Sequence, residues 1–484
     1  MLVNPVFDPS PCFIVCCKTV PDVAIALTLA RASGMPFTVR SGGHCTAGFS
    51  AGSGPLIDVK GLNTITVDPH HKTATVGTGC MFGTLNATLE AHGLHVPGGE
   101  CETVCVGGFV QGGGLGFTSA TYGMNCDNVL EMQVMLHDGS IVIANPSQNY
   151  DLWWAMRGGT GGNFGVLLSV TYQLYPLTQV SGWALAWPLS TSTDIATATQ
   201  VLMLLQAKYM RGSSYSQNLT LQVLLVYQTI IDPSQPILRQ PVPVFMVRGM
   251  WVGDPAAGAA AMQPLQQIEG CITQWTGTGT YRFVLDKLLN FPQDQPVLAY
   301  KKVFEDKGAR FVARDLTPDE WTSILNYYLT TPNNLSYMYL EFYGGQINAY
   351  PRDQSAFIHR DTVFNAVMDV FWYVADDRLA AEKFLNGWIK LMETMWNGEM
   401  YQNYVSLNVN DYASCYWADA LFGLYAVKQK YDPEHAFSFA QEVRQPMKLA
   451  PGGPGGPGPV IPLPPQLEAA LAQPIVYLPT SPAG

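Results

Sequence analysis

The sequence is poor in basic residues, and this limits its partners. Its 484 residues include 26 lysines and arginines against 37 aspartates and glutamates, which gives a net charge of -11 at pH 7. No stretch of the chain concentrates the basic residues. Because proteins that grip a phosphate backbone carry clustered positive charge, we expect no nucleic-acid partner.

Several other signals are missing as well. No apolar run reaches the ~20 residues that cross a bilayer, and residues 1–19 lack the basic-then-apolar pattern of a secretory signal. The ten cysteines form no CxxC pair and the eight histidines no HExxH pattern, so neither zinc nor a disulfide framework is indicated. We expect no membrane segment, no bound metal and a cytoplasmic protein, or a secreted one if a leader has been removed.

The dinucleotide fingerprint GxGxxG occurs once, at residues 453–458. It lies in a Pro/Gly-rich segment without periodicity, not at a strand-to-helix turn, so we do not expect a Rossmann domain. Residues 446–484 are predicted to form a flexible tail.

The length predicts two domains. In residues 1–178, short β-rich runs alternate with turns and with two helices, one opened by Pro21-Asp22 and one starting near Phe82. Asp138-Gly139 indicates a β-hairpin. From about residue 179 to 400 the elements are longer, with strands predicted at 219–227, 242–252 and 336–346 and a helix at 376–395.

Glycine is concentrated in three clusters of the first domain, at residues 40–44, 106–116 and 157–165. Dense glycine lets backbone N–H groups approach a pyrophosphate and form an anion nest. Each cluster alone is also explained by tight turns. Three clusters in succession favour a bound cofactor.

These motifs resemble a known family. The match runs through Arg40-Ser-Gly-Gly-His44, Cys101-Glu-Thr-Val104 and Gly112-Gly-Gly114, and returns in Tyr401-Gln-Asn-Tyr404. This order resembles the berberine-bridge-enzyme-like oxidases of the vanillyl-alcohol oxidase superfamily. The resemblance implies an α+β, two-domain fold in which a helix-covered antiparallel sheet forms the substrate domain. It also implies that residues 401–445 return to the FAD-binding domain.

The family resemblance implies FAD bonded at two points, through His44 to the 8α-methyl carbon and through Cys101 to C6. An imidazole nitrogen and a thiolate are suitable nucleophiles. Cys101 is preferred over Cys105 because the family's cysteine stands six residues before the first glycine of Gly107-Gly108. The other cofactor contacts implied by the family are Arg40, Ser41, Gly42, Gly43, Gly107, Gly108, Val110, Gly112, Gly113, Tyr122, Asp127, Gly162, Asn163, Gly165, Val166, Tyr401 and Asn403.

For catalysis, the family places its base at the second tyrosine of the YxNY motif, here Tyr404. A phenol of pKa about 10 is a poor base near neutrality, so a neighbour must share the proton. Strand alternation points Tyr337, Tyr339 and Glu341 to one face. Oligosaccharide oxidases of the family carry an assisting carboxylate at the position of Glu341, although a solvated glutamate fits the pattern equally well. We assign catalysis to Tyr404, Glu341 and Tyr339.

Three residues are assigned to substrate binding: Tyr337, Gln346 and Asn365. A valine at position 110 resembles the oxygen-reactive members of the family. We therefore predict an oxidase that transfers a hydride from an alcohol carbon of a carbohydrate or glycosylated metabolite to flavin N5 and reduces O2 to H2O2. The small-molecule substrate and O2 are its expected partners.

Two alternatives stay open. One is an FAD-dependent dehydrogenase or oxidative cyclase of secondary metabolism that reacts poorly with O2. The other is a catalytically idle flavin-binding protein, favoured by Cys105, where the family has glycine, and by the altered strand at residues 365–369. Tyr404 in its motif opposes the idle protein.

Overall fold

The computed structural model describes residues 4–7, 9–210, 216–228, 241–290, 303–445 and 462–479. It confirms the predicted α+β fold with two domains, each built around an antiparallel sheet. In the part of the chain that it describes, every helix is too short or too polar to cross a membrane.

The first domain consists of short elements. Their bounds are β1 (Ile14–Cys16), α1 (Val20–Ala32), β2 (Thr38–Arg40), β3 (Leu56–Asp58), β4 (Ile65–Asp68), β5 (Thr73–Gly77), α2 (Phe82–Glu90), β6 (Leu94–His95), α3 (Val106–Gln111), α4 (Ser119–Tyr122), β7 (Val129–Met135), β8 (Ile141–Ala144), α5 (Tyr150–Ala155), β9 (Val166–Gln173) and β10 (Tyr175–Pro176). They form a parallel sheet in the order β1-β3-β2, an antiparallel sheet in the order β4-β5-β9-β7-β8, and a two-stranded antiparallel pair of β6 and β10.

Local sequence signals explain how these elements begin and end. Helix α1 begins beside Thr19, whose hydroxyl accepts a hydrogen bond from the Asp22 amide while the Asp22 carboxylate accepts one from the Thr19 amide. This capping box satisfies amide groups that have no partner within the helix. The predicted hairpin is confirmed as β7 and β8, with Gly139 at a φ of 85° in its turn.

The second domain consists of longer elements. Their bounds are β11 (Val180–Pro188), α6 (Ser192–Leu205), β12 (Leu219–Gln228), β13 (Val242–Val252), α7 (Pro255–Gln266), β14 (Ile272–Gly279), α8 (Tyr281–Leu289), β15 (Phe304–Val312), α9 (Pro318–Tyr328), β16 (Tyr337–Phe342), α10 (Gln346–Ala349), β17 (Phe364–Trp372) and α11 (Arg378–Met392). The seven strands form one antiparallel sheet in the order β14-β11-β13-β12-β16-β17-β15.

Strand β16 shows how this sheet divides its two faces. Met338 and Leu340 are buried in the core formed with helices α6, α9 and α11. The alternate residues, Tyr337, Tyr339 and Glu341, therefore point to the opposite face. The strand ends at Phe342, earlier than the predicted residue 346, because Gly345 adopts a φ of 54° that a strand cannot continue.

After residue 400 the chain returns to the first domain. Helices α12 (Tyr412–Trp417) and α13 (Leu421–Tyr431) bury Trp417 and Leu424 in the same core as Trp154 of α5. Lys428 of α13 is fully buried, and its ammonium group donates to the backbone oxygen of Asn163 at 2.7 Å. This contact ties the C-terminal segment to the third glycine cluster.

The predicted flexible tail is wrong for residues 462–479. Helix α14 (Pro465–Leu471) buries Leu467 completely against Trp154 and Gly423. Beyond it, the Leu478 amide donates to the oxygen of Ile141 at 2.8 Å. A few apolar side chains anchor this segment. The proline- and glycine-rich sequence around them shows no helical periodicity, so the sequence did not predict the helix. Residues 446–461 and 480–484 of the predicted tail lie outside the described residues.

Candidate active site

A cleft of about 1380 Å³ lies between the first domain and the polar face of the seven-stranded sheet. Its walls include loops from all three glycine clusters, the YxNY segment and side chains of β12, β13, β15, β16 and β17. Pockets for a single small ligand hold roughly 300–1,000 Å³. The cleft is therefore large enough for a cofactor together with a substrate.

Thirteen of the predicted cofactor residues line this cleft. They are Arg40, Ser41, Gly42, Gly43, His44, Cys101, Gly107, Gly108, Gly162, Gly165, Val166, Tyr401 and Asn403. Two of the glycines keep side chains out of the cleft for different reasons. A Cβ on Gly107 would lie 2.0 Å from the Thr78 hydroxyl, whereas one on Gly108 would meet no atom within 4 Å and would fill the open cleft instead. Backbone thus borders the space directly, as a cradle for a large cofactor requires.

The fit to FAD rests on this cradle and on the two nucleophiles that open onto it. Arg40 does not face a phosphate freely, because its guanidinium is paired with the Asp58 carboxylate at 2.6 Å. The pair fixes the loop that carries His44. Charge on a bound pyrophosphate would thus be met mainly by backbone N–H groups.

Six further predicted cofactor residues are not among those that line the cleft: Val110, Gly112, Gly113, Tyr122, Asp127 and Asn163. Asp127 is held behind the wall by a buried ion pair with Arg360, at 2.6 Å. Tyr122 stacks on Tyr175 with 4.4 Å between the ring centroids. These residues support the cradle without bordering it.

The remaining residues of this group are also packed behind the wall. Val110 is fully buried in α3. A Cβ on Gly112 would lie 2.0 Å from the Asn403 side-chain oxygen, and one on Gly113 would lie 2.6 Å from the Phe357 ring. The Asn163 side chain donates to the backbone oxygen of Gly159 at 2.8 Å, which shapes the third glycine loop. Motif matching alone does not distinguish a residue that shapes a loop from one that borders the ligand.

His44 is half-buried on the cleft wall. Its Nε2 atom lies 3.0 Å from the Thr103 hydroxyl. Burial lowers the pKa of His44, which keeps the imidazole neutral and a lone pair available near neutral pH. A neutral imidazole is the nucleophilic form.

The thiols of Cys101 and Cys105 differ in their exposure to the cleft. Cys101 is exposed to it, although the surrounding walls withdraw bulk water and raise the pKa of its thiol. Cys105 is buried under the first glycine loop, where its thiol donates to the Gly79 oxygen at 3.3 Å. A Cβ on Gly42 would lie 3.1 Å from the Cys105 sulfur. Residue 105 thus also borders the cleft, but its sulfur lies under the glycine loop.

Tyr404 and Glu341 are in direct contact on the cleft wall. The Tyr404 hydroxyl donates to Oε1 of Glu341 at 2.6 Å, and the Asn365 side chain donates to Oε2 at 3.1 Å. Burial raises the pKa of Glu341 to about 7. Burial, followed by the charge of Glu341, raises the pKa of Tyr404 above its ordinary value. Near neutral pH the tyrosine therefore stays protonated, and Glu341 is the group of the pair that can be deprotonated and accept a proton.

The residues assigned to substrate binding have different positions. Tyr337 lines the cleft, as does Tyr339, which lies with its ring centroid 6.2 Å from that of Tyr404. Gln346 does not: it is exposed at the start of α10 and donates to the Gln217 side chain at 3.1 Å, because the glycines before it turn the chain away. Asn365 is fully buried behind Glu341 and orients that carboxylate without bordering the cleft.

This site also contains a buried lysine that no sequence motif indicated. The ammonium of Lys307, on β15, lies 4.8 Å from the centroid of the Tyr404 ring. It is also 3.2 Å from Asp369 and 3.4 Å from Glu305. Burial opposes its charge, but the two carboxylates outweigh that effect and raise the pKa of Lys307. The alternation of Glu305 and Lys307 along one strand face is a signal that could have found it.

Two family models match the chain. Residues 11–145 match the FAD binding domain, and residues 400–444 match the family described as berberine and berberine like. Together they cover the loops that carry His44 and Cys101 and the segment that carries Tyr404.

Full-length relatives and solved structures agree with these matches. The FAD-linked oxidoreductase YvdP of Bacillus subtilis (strain 168) is 27% identical over 458 residues, covering 91% of this chain and 94% of the relative. Physcomitrella patens BBE-like 1 shares the fold with a TM-score of 0.80 at 23% identity, covering 92% and 94% of the two chains. The xylooligosaccharide oxidase from Myceliophthora thermophila C1, solved with xylobiose, has a TM-score of 0.77 at 23% identity, covering 91% and 93%. This chain is an FAD-linked oxidoreductase that contains an FAD binding domain and a C-terminal segment of the berberine-like type.

Proposed function

We propose that this enzyme is an oxidase that removes a hydride from the carbinol carbon of a sugar-like substrate and passes the electrons to O2, releasing H2O2. The observation that carries the proposal is the Tyr404–Glu341 pair, 2.6 Å apart, on the wall of the cleft that also presents His44 and Cys101. A proton acceptor beside a flavin cradle is what oxidation of an alcohol requires. The flavin, when bound, supplies the hydride acceptor and the route to O2.

The protein's task is to take the hydroxyl proton. A substrate hydroxyl that donates to the Tyr404 oxygen can pass its proton there as the Tyr404 proton moves to Glu341. The alcohol then loses one hydride and one proton and becomes a carbonyl. Tyr404 alone could not act as the base near neutrality, since its raised pKa keeps it protonated, whereas Glu341 with a pKa of about 7 can accept the proton.

Lys307 assists this transfer electrostatically. Its ammonium lies 4.8 Å from the centroid of the Tyr404 ring, where a cation is attracted to the π face. The attraction grows as negative charge develops on the tyrosine oxygen. The contact therefore favours the state in which Tyr404 has given up its proton.

We also propose that the flavin is bonded through His44 and Cys101. At His44, an N–H bond and a flavin C–H bond would be broken and one N–C bond formed. At Cys101, an S–H bond and a flavin C–H bond would be broken and one S–C bond formed. Each reaction releases two electrons and two protons, which O2 takes up as H2O2. Two observations support the attachment. His44 is a neutral imidazole on the cleft wall, and the Cys101 thiol is exposed to the cleft. Two bonds would allow the ring to stay in place while the cleft remains open to a bulky substrate.

The substrate side of the cleft supports a polyhydroxylated ligand. Tyr337 and Tyr339 bring hydroxyl groups to one surface beside the Glu341 carboxylate. Such groups recognise sugar hydroxyls through directional hydrogen bonds. A solved structure with this fold is an oxidase of xylooligosaccharides in complex with xylobiose, which adds support for the same substrate class.

A peroxide assay across saccharides, glycosides and benzylic alcohols tests the proposal. We expect H2O2 release with mono- or oligosaccharides and much less with benzylic alcohols. Reduction of an artificial dye by the same sugars without H2O2 would replace the oxidase with a dehydrogenase. Turnover of benzylic alcohols alone would overturn the sugar-like substrate.

The rate of flavin reduction is expected to rise with pH through about 7. Glu341 acts as a base only when it is deprotonated, and burial raises its pKa to about 7, so activity is low below that pH and high above it. Glu341→Gln should remove this limb and lower the rate at every pH. Asn365→Ala, which removes a donor that stabilises the carboxylate, should move the limb to higher pH. An unchanged limb in Glu341→Gln would show that another group sets it.

A further inference from the structure

A hydrogen-bonded bridge joins the two domains beside Cys101. Glu100, the preceding residue, reaches from the first domain to the face of the seven-stranded sheet. Its carboxylate accepts a hydrogen bond from the Gln222 side chain of β12 and pairs with the Arg248 guanidinium of β13 at 3.4 Å. The loop that carries Cys101 is thus held from across the cleft.

Arg248 is itself held firmly. Its Nε donates to the Gln222 side chain at 2.8 Å, and one Nη donates to the backbone oxygen of Leu288 at 3.2 Å. Only 11% of its side chain is exposed. A cation fixed by several partners positions Glu100 more accurately than a flexible surface residue would.

Four charged groups act on the Cys101 thiol. Glu100 lies on its own loop, Arg248 on β13, and Lys307 and Glu305 on β15. Burial and the two carboxylates oppose the thiolate, while the two cations favour it. Arg248 therefore affects Cys101 twice, by holding the loop and by offsetting the charge of Glu100.

We propose that Arg248 is a positioning residue for flavin attachment, which holds the Glu100 loop so that the Cys101 sulfur forms its bond to the flavin. The inference rests on the attachment at Cys101 proposed above. In that reaction the Cys101 S–H bond and a ring C–H bond give one S–C bond, and O2 takes up the two electrons and two protons as H2O2. His44 lies on a separate loop of the first domain, at residues 40–44, whereas Glu100, Gln222 and Leu288, the partners of Arg248 named above, lie elsewhere, so we expect the His44 bond to form without Arg248.

The test uses full-length wild type, Arg248→Gln, Arg248→Lys and Glu100→Gln. Each protein is purified without flavin from riboflavin-limited cells and incubated with FAD in air from pH 6 to 10, and the Cys101 and His44 peptides are assayed by mass for bound flavin. Arg248→Gln should slow attachment at Cys101 near neutrality by about tenfold and raise the midpoint of its pH dependence by about one unit. Arg248→Lys should recover much of the rate. Glu100→Gln, which keeps hydrogen-bonding groups but removes the negative charge, should lower the midpoint.

The His44 peptide is the internal control, and it should carry flavin equally in all four proteins. An Arg248→Gln protein with wild-type attachment at Cys101 would overturn the inference. So would a slower attachment with the same pH midpoint in every variant, or a joint loss at both peptides, because these would reveal only a general effect on folding. If wild type carries no flavin at Cys101, the proposed attachment itself fails, which is a separate outcome.

Discussion

Replacing Tyr404 with phenylalanine is expected to lower the rate of flavin reduction by about 10²–10⁴-fold, the usual contribution of a positioned acid–base group. The variant loses the hydroxyl that links the substrate to Glu341, whereas the ring and its contact with Lys307 can remain. Anaerobic stopped-flow absorbance at a saturating sugar concentration measures the effect without contributions from the O2 step.

Tyr339→Phe is the matched comparison. The Tyr339 ring lies on the same cleft wall, with its centroid 6.2 Å from that of the Tyr404 ring. The Glu341 carboxylate accepts its hydrogen bond from Tyr404, so the proton path runs through Tyr404. Loss of one neutral hydrogen bond to the substrate would cost roughly 0.5–1.5 kcal/mol, about tenfold or less in rate. Equal losses in the two variants, or a Tyr404→Phe rate within tenfold of wild type, would contradict the role of Tyr404 as the proton acceptor.

The second large effect concerns the cofactor bonds. After denaturation, wild type, His44→Ala and Cys101→Ala should all retain flavin, because one bond suffices to keep it, whereas the double variant should release all of it. Flavin fluorescence of the precipitated protein and of its supernatant separates the two outcomes. Each single variant should also show the absorption change expected for loss of one ring substituent.

Cys105→Ala serves as the control for this experiment. Its sulfur is buried under the first glycine loop and bonded to Gly79, so its removal should leave flavin retention unchanged. Flavin retained by the double variant but lost when Cys105 is also replaced would show that the wrong thiol has been assigned.

The parts of the site that the sequence predicted well are those encoded locally. The motif around His44 and the glycine clusters fold as short loops and one short helix, α3, so their order in the chain already describes the cradle. Strand alternation likewise predicted that Tyr337, Tyr339 and Glu341 share a face, and β16 presents all three to the cleft. In both cases neighbouring residues determine the geometry.

The parts that were missed depend on pairing between distant strands. Lys307 and Asp369 meet because β15 pairs with β17, and Lys307 reaches Tyr404 from nearly a hundred residues away in sequence. Arg248 faces Cys101 only because the two domains share the cleft. The position of Gln346 has a local cause. A turn at Gly345 ends the strand before Gln346, so this side chain does not lie on the sheet face that lines the cleft.

The most direct test of the account is the mass of the denatured wild-type protein, followed by the masses of its peptides. We predict a polypeptide that carries the added mass of one FAD, with the flavin recovered on a peptide that links His44 to Cys101. A mass equal to that of the polypeptide alone, from protein purified with its yellow cofactor, would contradict the covalent attachment on which the proposed arrangement of the cleft depends.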